Sequence, residues 1–258
     1  MTDGHKVIVV LPAYNAERTL EDTYRRIPRQ AVDEILLVDD GSHDQTVAVA
    51  KRLNLPYVQH ASNCGYGANQ KTCYQAALTR GADIVVMLHP DSQYPPEQVP
   101  ALAALIASGR YDVALGSRFL NVSTLARGMP RYKFFCNRLW TWLQNRWLGQ
   151  RLSEYHTGFR AFSRAFLLGV PLLENSNDFL FDNQVLLQAL HFGFRIGELS
   201  TPACFTKESS SISPWRGAWY GLGVLWATLR FHLHRAGLLR CRLLEPDGRR
   251  LSVASAHA

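Results

Sequence analysis

Short apolar runs alternate with helical patterns along the first part of the chain. VIVVL (7–11) and EILLVDD (34–40) are β-branched runs that end at turn residues, which is typical of buried parallel strands. Between them, apolar residues recur at helical spacing until Pro28. The alternation continues through the strand-like segments PYVQH, ADIVVMLH and DVALGSR, separated by helical patterns near 44–53, 67–80 and after 95–98. This order predicts an α/β fold with a mainly parallel, Rossmann-like sheet flanked by helices.

Polar segments directly follow four of the predicted strands. They are PAYN (12–15), DDGS (39–42), HPDSQ (89–93) and GSR (116–118). In open α/β sheets the ligand sits outside the carboxyl ends of the strands. We therefore expect these four loops to line one cleft.

The acidic pair in DDGSHDQT has two interpretations. Asp39 and Asp40 at a strand end repel each other, which favours a ligand with donor groups, such as a nucleotide base or ribose. A turn through Gly41 and Ser42, followed by Asp44 as a helix cap, explains the same residues without a ligand.

Gly65 and Gly67 lie at a predicted helix start, where free backbone amides bind phosphate. The segment matches neither GxGxxG after the first strand nor a P-loop, so nicotinamide-dependent and ATP-hydrolysing functions lose support.

The loop HPDSQ offers oxygen ligands for a cation. Asp91 and Gln93 would supply two oxygens to Mg²⁺ or Mn²⁺, which usually take one or two protein carboxylates and complete their shell with water and phosphate. His89 is expected to pack or hydrogen-bond rather than ligate a hard ion, although Mn²⁺ leaves ligation open.

The net charge of +7 is unevenly distributed. Residues 1–112 hold 10 Lys and Arg against 13 Asp and Glu, whereas residues 113–258 hold 18 against 8. No acid lies between Asp112 and Glu154. This pattern indicates either a phosphate-rich partner or a solvated basic face. Nucleic acid would also explain the charge, but no nucleic-acid motif is present, so none is expected.

Composition favours an ordinary globular protein of one large domain or two joined halves, with 258 residues and 47% hydrophobic content. The five cysteines include no CxxC pair, which indicates a reducing compartment without a disulfide framework or structural zinc. No apolar run has the length of a signal peptide or of a bilayer-spanning helix. We expect a cytoplasmic protein.

All six tryptophans lie in two segments, 134–149 and 215–235. Apolar residues follow helical spacing in both, and arginines border them. Such amphipathic helices can lie in a membrane interface, here the inner face of the membrane. Ordinary core packing, or an interface in a homo-oligomer, explains the same stripes.

Five motifs carry a family resemblance. VLPAYNAERTL, ILLVDDGSHDQT, HPDSQYPPE, GSR and HTGFRAFSR resemble, in this order, the motif series of family 2 glycosyltransferases with the GT-A fold, from about residue 7 to 212. The similarity is greatest to the dolichol- or polyprenyl-phosphate sugar synthase group. It implies an inverting transfer of a sugar from a nucleotide-diphosphate sugar to a polyprenyl phosphate, with Mg²⁺ or Mn²⁺ as cofactor.

The resemblance also implies the site residues. Nucleotide contacts fall on Pro12, Tyr14, Asn15, Asp39 and Asp40, metal and diphosphate contacts on Asp91 and Gln93, and phosphate contacts on Arg118. Beyond the resemblance, the loop glycines and the basic segments add further candidates: Gly41, Ser42 and Gly65 for the nucleotide, and Arg131, Arg160 and Lys207 for the acceptor or phosphate. Asp91 and Arg118 would be catalytic. The family pattern has an acidic residue where His89 stands and an arginine where Lys207 stands, and a lysine lacks the bidentate fork of arginine.

Asp182, at a predicted helix start, has two interpretations. It would be the general base for a hydroxyl acceptor, whereas a phosphate acceptor needs no base; it is otherwise a helix N-cap.

Two alternative functions stay open: transfer to a sugar hydroxyl of a glycan or glycolipid, and a non-catalytic, membrane-associated nucleotide-binding module. We expect a nucleotide-sugar half (1–120), an acceptor half with the amphipathic helices (121–238) and a flexible basic tail (239–258).

Overall fold

A computed structural model of the chain describes residues 4–120, 128–205 and 214–253. In these ranges one sheet has the strand order β3-β2-β1-β4-β6-β5-β7. The strands are β1 Val7–Ala13, β2 Glu34–Asp39, β3 Tyr57–Gln59, β4 Ile84–Met87, β5 Val113–Ser117, β6 Arg160–Ser163 and β7 Ile196–Ser200. The helices are α1 Leu20–Arg26, α2 Thr46–Arg52, α3 Tyr66–Thr79, α4 Val99–Ala107, α5 Arg131–Leu148, α6 Arg164–Gly169, α7 Phe181–His191 and α8 Pro214–Arg235.

The sheet is mainly parallel, as the alternating pattern predicts. β1 pairs in parallel with β2 and β4, and β5 pairs in parallel with β7. β6 is the exception, since it runs antiparallel to both β4 and β5. The carboxyl ends of β1, β2, β4 and β5 consequently lie at the same edge of the sheet.

Alternate residues of the strands enter two cores, one on each face of the sheet. Ile8 and Val10 pack with residues of α3 and α7, whereas Val7 and Val9 pack with residues of α1, α2 and α4. Because side chains alternate across a strand, a continuous apolar run such as VIVV fills both cores at once.

Helices α5 and α8 pack on each other beside this sheet, and both expose large apolar side chains, although Val224, Ala227 and Phe231 of α8 are buried. The residues of α5 that are buried are polar: Asn137, Thr141 and Gln144. The exposed apolar side chains of the two helices include Phe135, Leu139, Trp142, Trp147, Trp219, Leu222, Trp226 and Leu229. The core interpretation is therefore wrong for these side chains. No helix in the described ranges is long and apolar enough to cross a membrane.

The segment that follows α8 differs from the expected flexible tail. Cys241 and Leu244 are buried in a small cluster with Phe231 of α8, and Leu251 is buried in the main core. Arg249 also pairs with Glu174, at a distance of 3.0 Å. The expectation fails for residues 241–253 because apolar residues recur among the arginines and anchor the segment.

Candidate functional site

A cavity of about 910 Å³ lies at the edge of the sheet where the strands end. Loop residues line one part of it: Pro12, Tyr14, Asn15, Asp40, Asn63, Gly65, His89, Asp91 and Gln93. Residues at the helical side include Met129, Tyr132, Lys133, Cys136, Trp140, His156 and Tyr220. Arg118 and Asp182 border the same cavity. The sheet therefore brings the four predicted loops together with the tryptophan-rich helices.

Asn15 joins the loop after β1 to the loop after β2. Its backbone N–H donates to Ser42 Oγ at 2.8 Å, and its Oδ1 accepts from the His43 backbone N–H at 2.9 Å. Its φ of 52° lies in the left-handed region, which asparagine tolerates better than most residues. Gly41 also has a positive φ, and a Cβ there would lie 2.7 Å from the backbone of Ser62.

The two adjacent aspartates differ in their surroundings. Asp40 accepts from the backbone N–H groups of Cys64 and Gly65 and lies 2.7 Å from Nδ1 of His60. Asp40 thus holds the 60–65 loop. Asp39 Oδ2 accepts from the Ser42 N–H at 3.1 Å, whereas its buried Oδ1 has no hydrogen-bond partner among the described residues. Asp39 is fully buried and lies outside the cavity lining, so its unused acceptor is not on the cavity wall.

The glycines before α3 have a packing role. The Gly65 N–H donates to Asp40, and the Gly67 N–H donates to the Asn177 carbonyl at 2.8 Å. A Cβ on Gly65 would lie 2.5 Å from that carbonyl oxygen, and one on Gly67 would lie 2.3 Å from the Ser176 oxygen. The prediction of free amides for phosphate is wrong at both glycines, since the protein itself uses them.

The loop after β4 turns sharply at Ser92, which has a φ of 58°. Asp91 Oδ1 accepts from the Gln93 backbone N–H at 3.0 Å, so the aspartate also stabilises the turn. Both Asp91 and Gln93 line the cavity. One carboxylate and one amide oxygen suit Mg²⁺ or Mn²⁺, which complete their shells with water and phosphate.

A hydrogen-bonded network joins this loop to α7. Tyr66 donates its hydroxyl proton to Asp182 Oδ2 at 2.6 Å, and its oxygen lies 3.1 Å from His89 Nε2. Gln70 donates to Asp182 Oδ1 at 3.1 Å. Burial and the Asp182 charge raise the pKa of Tyr66 well above its usual value, so the phenol keeps its proton.

Asp182 is not the N-cap of α7. Leu180 has that position, Asp182 lies in the first turn, and its carboxylate belongs to the network instead. No sequence pattern pointed to Tyr66 or Gln70, because their role depends on the contact between α3 and α7.

Arg160 lies beneath the cavity and is fully buried. Its three side-chain nitrogens donate to the carbonyl oxygens of Thr157, Asp182 and Tyr155 at 2.7 to 3.1 Å. It braces the start of α7 and does not line the cavity. The prediction that it contacts an acceptor is therefore wrong.

Arg118 lines the cavity and is paired with Glu154. Its Nε donates to Glu154 Oε1 at 2.9 Å, a second nitrogen also contacts this carboxylate, and the backbone N–H donates to Oε2 at 3.0 Å. Burial alone would lower the pKa of Arg118, but the Glu154 charge raises it. Burial likewise raises the pKa of Glu154, and Arg118 outweighs this and lowers it. Both groups stay charged.

The helical side of the cavity presents a cation that the sequence did not single out. Arg131 is exposed and lies outside the cavity lining, whereas Lys133, two residues later on α5, lines it. Burial and the positive charge of Arg118 lower the pKa of Lys133. Helical spacing would have placed Lys133 on the same face as Asn137 and Gln144. Lys207 falls outside the described residues.

His156 borders the cavity between Arg118 and α8. Its Nδ1 lies 2.8 Å from the hydroxyl oxygen of Tyr220, and its Nε2 has no partner among the described residues. Burial, helped by the charges of Arg118 and Arg160, lowers the pKa of His156 to about 4, despite the opposing charge of Glu154. The imidazole is therefore neutral at pH 7.

Comparisons with known proteins agree with this geometry. The sequence model described as "Glycosyl transferase family 2" matches residues 8–169. The polyprenol monophosphomannose synthase of Mycolicibacterium smegmatis is 28% identical over 83% of this chain and 82% of that protein. The UDP-N-acetylglucosamine–dolichyl-phosphate N-acetylglucosaminyltransferase of Methanococcus voltae is 24% identical over 79% of this chain and 87% of that protein.

A solved structure shows the same fold. It is glucosyl-3-phosphoglycerate synthase from Mycobacterium tuberculosis in complex with Mn²⁺, UDP-glucose and phosphoglyceric acid. The TM-score is 0.66 at 20% sequence identity, over 93% of this chain and 82% of that one. The expected GT-A fold is thereby confirmed. Because the family model matches more than half of the chain, the protein belongs to glycosyl transferase family 2, the family that its motifs indicated.

Proposed function

We propose that this glycosyltransferase moves a sugar, with inversion, from a nucleotide-diphosphate sugar to the phosphate of a polyprenyl phosphate. One observation carries the proposal: a single cavity extends from the nucleotide loops to α5 and α8, whose outer faces expose apolar side chains. A soluble donor can enter from the loops while a lipid-linked acceptor enters from the helices. The named relatives that act on polyprenol or dolichyl phosphate support the same acceptor class.

The donor nucleotide would lie against the loops after β1 and β2. Asp39 Oδ1 is a buried acceptor without a donor among the described residues, and burying such a group unpaired costs about 1–3 kcal/mol. An N–H group of the nucleotide base would satisfy it, and the loop after β2 would have to move to admit the base, since Asp39 lies outside the cavity lining. Pro12, Tyr14 and Asn15 would border the nucleotide, with Gly41 and Ser42 shaping the loop, while Asp40 and Gly65 hold the adjacent wall.

Asp91 and Gln93 would hold Mg²⁺ or Mn²⁺ together with the donor diphosphate. The solved synthase with the same fold contains Mn²⁺ and UDP-glucose, which supports a divalent cation as cofactor. Such a cation supplies Lewis-acid neutralisation of charge on the leaving diphosphate. Mg²⁺ and Mn²⁺ bind oxygen ligands, so the carboxylate of Asp91 and the amide oxygen of Gln93 suit either ion.

Arg118 would act in the transition state by stabilising negative charge. Glu154 holds the guanidinium in one orientation, so little reorganisation is needed when the charge develops. The neighbouring ammonium group of Lys133 would help to attract the acceptor phosphate. Since that phosphate is already an anion, the reaction requires no general base.

Transfer to a sugar hydroxyl is the second candidate, because Asp182 also borders the cavity. In that reaction Asp182 would accept the hydroxyl proton. Its contacts with Tyr66 and Gln70 favour a positioning role instead, since both carboxylate oxygens already accept hydrogen bonds.

The exposed apolar faces of α5 and α8 would attach the protein to the inner face of the cytoplasmic membrane. Residues 131–146 of α5 also carry four cationic side chains, and the exposed Arg131, Arg138 and Arg146 would meet lipid phosphates. The nucleotide-sugar half (1–120) would then face the cytoplasm, and the acceptor half (121–238) the membrane.

Calorimetric titration with UDP, GDP and their sugar conjugates, with and without Mn²⁺ or Mg²⁺, tests the donor. We expect metal-dependent binding of one nucleotide, lost in Asp91→Asn. Sugar transfer to a short polyprenyl phosphate would follow with the conjugate that binds. No binding of any nucleotide would favour a non-catalytic, membrane-associated module.

A pair of variants distinguishes the two acceptors. Asp91→Asn is expected to abolish transfer, and Asp182→Asn is expected to keep a substantial part of it if the acceptor is a phosphate. A general base contributes about 10² to 10⁴-fold to a rate, so a loss of that size in Asp182→Asn would favour the hydroxyl acceptor. Unfolding curves of both variants would separate these effects from loss of structure.

A further inference from the structure

His89 begins the 89–93 loop and borders the same cavity as Asp91 and Gln93. Its ring stacks on Tyr66, with the ring centroids 5.3 Å apart and the planes inclined by 19°. Its Nε2 also lies within hydrogen-bond distance of the Tyr66 hydroxyl oxygen, at 3.1 Å. One nitrogen of the imidazole is thus held by the protein.

Tyr66 determines where the proton of this imidazole lies. A phenol has one proton, and Tyr66 donates it to Asp182 Oδ2 at 2.6 Å. The phenol oxygen can therefore only accept from His89, so Nε2 carries a hydrogen. In a neutral imidazole with a proton on Nε2, Nδ1 has a free lone pair.

Gly158 shows how the ring is turned. A Cβ on Gly158 would lie 2.9 Å from Cδ2 and 3.0 Å from Nε2 of His89. The Cδ2–Nε2 edge therefore packs on the Gly158 backbone. Nδ1 belongs to the opposite edge of the five-membered ring, which Gly158 does not cover.

We propose that Nδ1 of His89 is a ligand of the divalent cation that Asp91 and Gln93 would hold, with Tyr66 and Asp182 orienting the imidazole. The proposal rests on the proposed function, which places the cation at this loop. A metal-binding histidine nearly always donates its other ring N–H to an oxygen, and that contact fixes its tautomer and orientation. The Tyr66 oxygen, anchored on Asp182, fills this position.

The choice of metal follows from the ligand set. Oxygen donors suit Mg²⁺ and Mn²⁺ alike, whereas an imidazole nitrogen favours the transition metal. With His89 in place of a carboxylate, the site would prefer Mn²⁺ over Mg²⁺. His89 would then ligate the ion, the alternative that the sequence left open for Mn²⁺, rather than only pack or hydrogen-bond.

Electron spin-echo envelope modulation of Mn²⁺ bound to the full-length protein tests the ligation directly. The sample contains saturating UDP or, separately, GDP, and the protein is prepared with ¹⁴N- or ¹⁵N-histidine. We expect nitrogen modulation that changes with the histidine isotope. A histidine that only packs near the loop would not give this signature.

Variants separate the ligand from the residue that orients it. In His89→Asp we expect the nitrogen modulation to disappear, Mn²⁺ binding to persist, and Mg²⁺ to compete more effectively. In Tyr66→Phe the modulation should remain while Mn²⁺ affinity falls about 10- to 100-fold, as for other groups that orient a ligand. His5→Ala is the matched control, because His5 precedes the amino end of β1, away from the cavity.

Bound Mn²⁺ without histidine-dependent modulation would overturn the proposal, and so would failure to bind Mn²⁺ with either nucleotide. These results need only the wild-type protein, so a variant that fails to fold does not weaken the test. Sugar transfer in Mg²⁺ is measured separately. Transfer without nitrogen ligation would overturn the His89 assignment alone, whereas nitrogen ligation without transfer would overturn the proposed function alone.

Discussion

At the scale of single residues, the buried pair of Arg118 and Glu154 shows how one side chain supports another. Glu154 accepts from the guanidinium and backbone of Arg118 and from the Asn137 amide at 2.9 Å. Removing one partner of a buried ion pair leaves the other charge uncompensated, which is more costly than losing a surface pair.

Glu154→Gln should therefore lower the free energy of unfolding by about 3 kcal/mol or more. Urea denaturation at pH 7 measures it. Glu97→Gln is the matched control, since Glu97 pairs with Arg26 at the surface and exposed pairs contribute about 0–1 kcal/mol. Equal losses in the two variants would contradict the structural role given to Glu154.

His156 predicts a pH dependence of stability. Its pKa is about 4 in the folded protein, mainly because of burial, against about 6.5 in an unfolded chain. Protonation consequently favours the unfolded state. The contribution of neutral His156 is complete above about pH 6.5 and is lost as the pH falls towards about 4.

Unfolding free energies measured at intervals between pH 7 and pH 4 test this prediction. His156→Gln should flatten the decline relative to wild type, whatever its effect at pH 7, and the ring protons of His156 should titrate near pH 4 in NMR spectra. An unchanged slope in the variant would assign the decline to other groups.

The site residues divide according to whether they depend on local or distant contacts. The positions of Asp91 and Gln93 at the cavity were predictable because both lie in a polar loop directly after a strand. Tyr66, Glu154 and Lys133 were not predictable, because their partners are distant in sequence. Tyr66 and Asp182, for example, are 116 residues apart. The free amides expected at Gly65 were wrong for the same reason, since Asp40 and the 176–177 segment occupy that space.

At the scale of elements, α5 has an unusual distribution of polarity. Its buried face is joined to its neighbours by hydrogen bonds, with Gln144 accepting from Asn183 at 3.1 Å and Asn137 donating to Glu154. Its apolar residues face outward, Trp142 with 62% of its surface exposed. Helical spacing predicted the stripe correctly, but periodicity alone does not tell which face is buried.

Flotation with anionic liposomes tests whether α5 and α8 attach the protein to a bilayer. Wild type should float, and Trp142→Gln combined with Trp226→Gln should float much less without loss of stability, because exposed substitutions usually change stability within about 0.5 kcal/mol. Val253→Gln is the control, since Val253 is exposed and lies outside both helices. Wild-type protein that stays wholly soluble would contradict the membrane proposal.

At the scale of the whole molecule, the two halves expected from the sequence contribute strands to one sheet. β6 follows the predicted boundary at residue 120, yet it lies between β4 and β5, which precede that boundary. The alternation of strands and helices predicted the parallel strands, but no local signal marks a strand that returns antiparallel to the middle of the sheet. Its position depends on contacts between residues that are distant in sequence.

The central position of β6 predicts that the halves unfold together. β6 links β5 to β4, and α3 of the first half also contacts α7 of the second half, as in the hydrogen bond of Gln70 with Asp182. We therefore expect one urea transition seen by two probes. Tryptophan fluorescence reports on residues 140–226, and thiol labelling of Cys73 reports on the first half, where Cys73 is fully buried in α3.

The two midpoints should coincide, as for a cooperative transition. Cys64 is exposed and should react without urea, which provides the internal control for reagent activity. If Cys73 instead became reactive at a clearly lower urea concentration than the fluorescence change, the nucleotide half would unfold on its own. The interleaved sheet would then not couple the donor site to the membrane-facing helices, and a sugar transfer that needs both would depend on the cavity contacts alone.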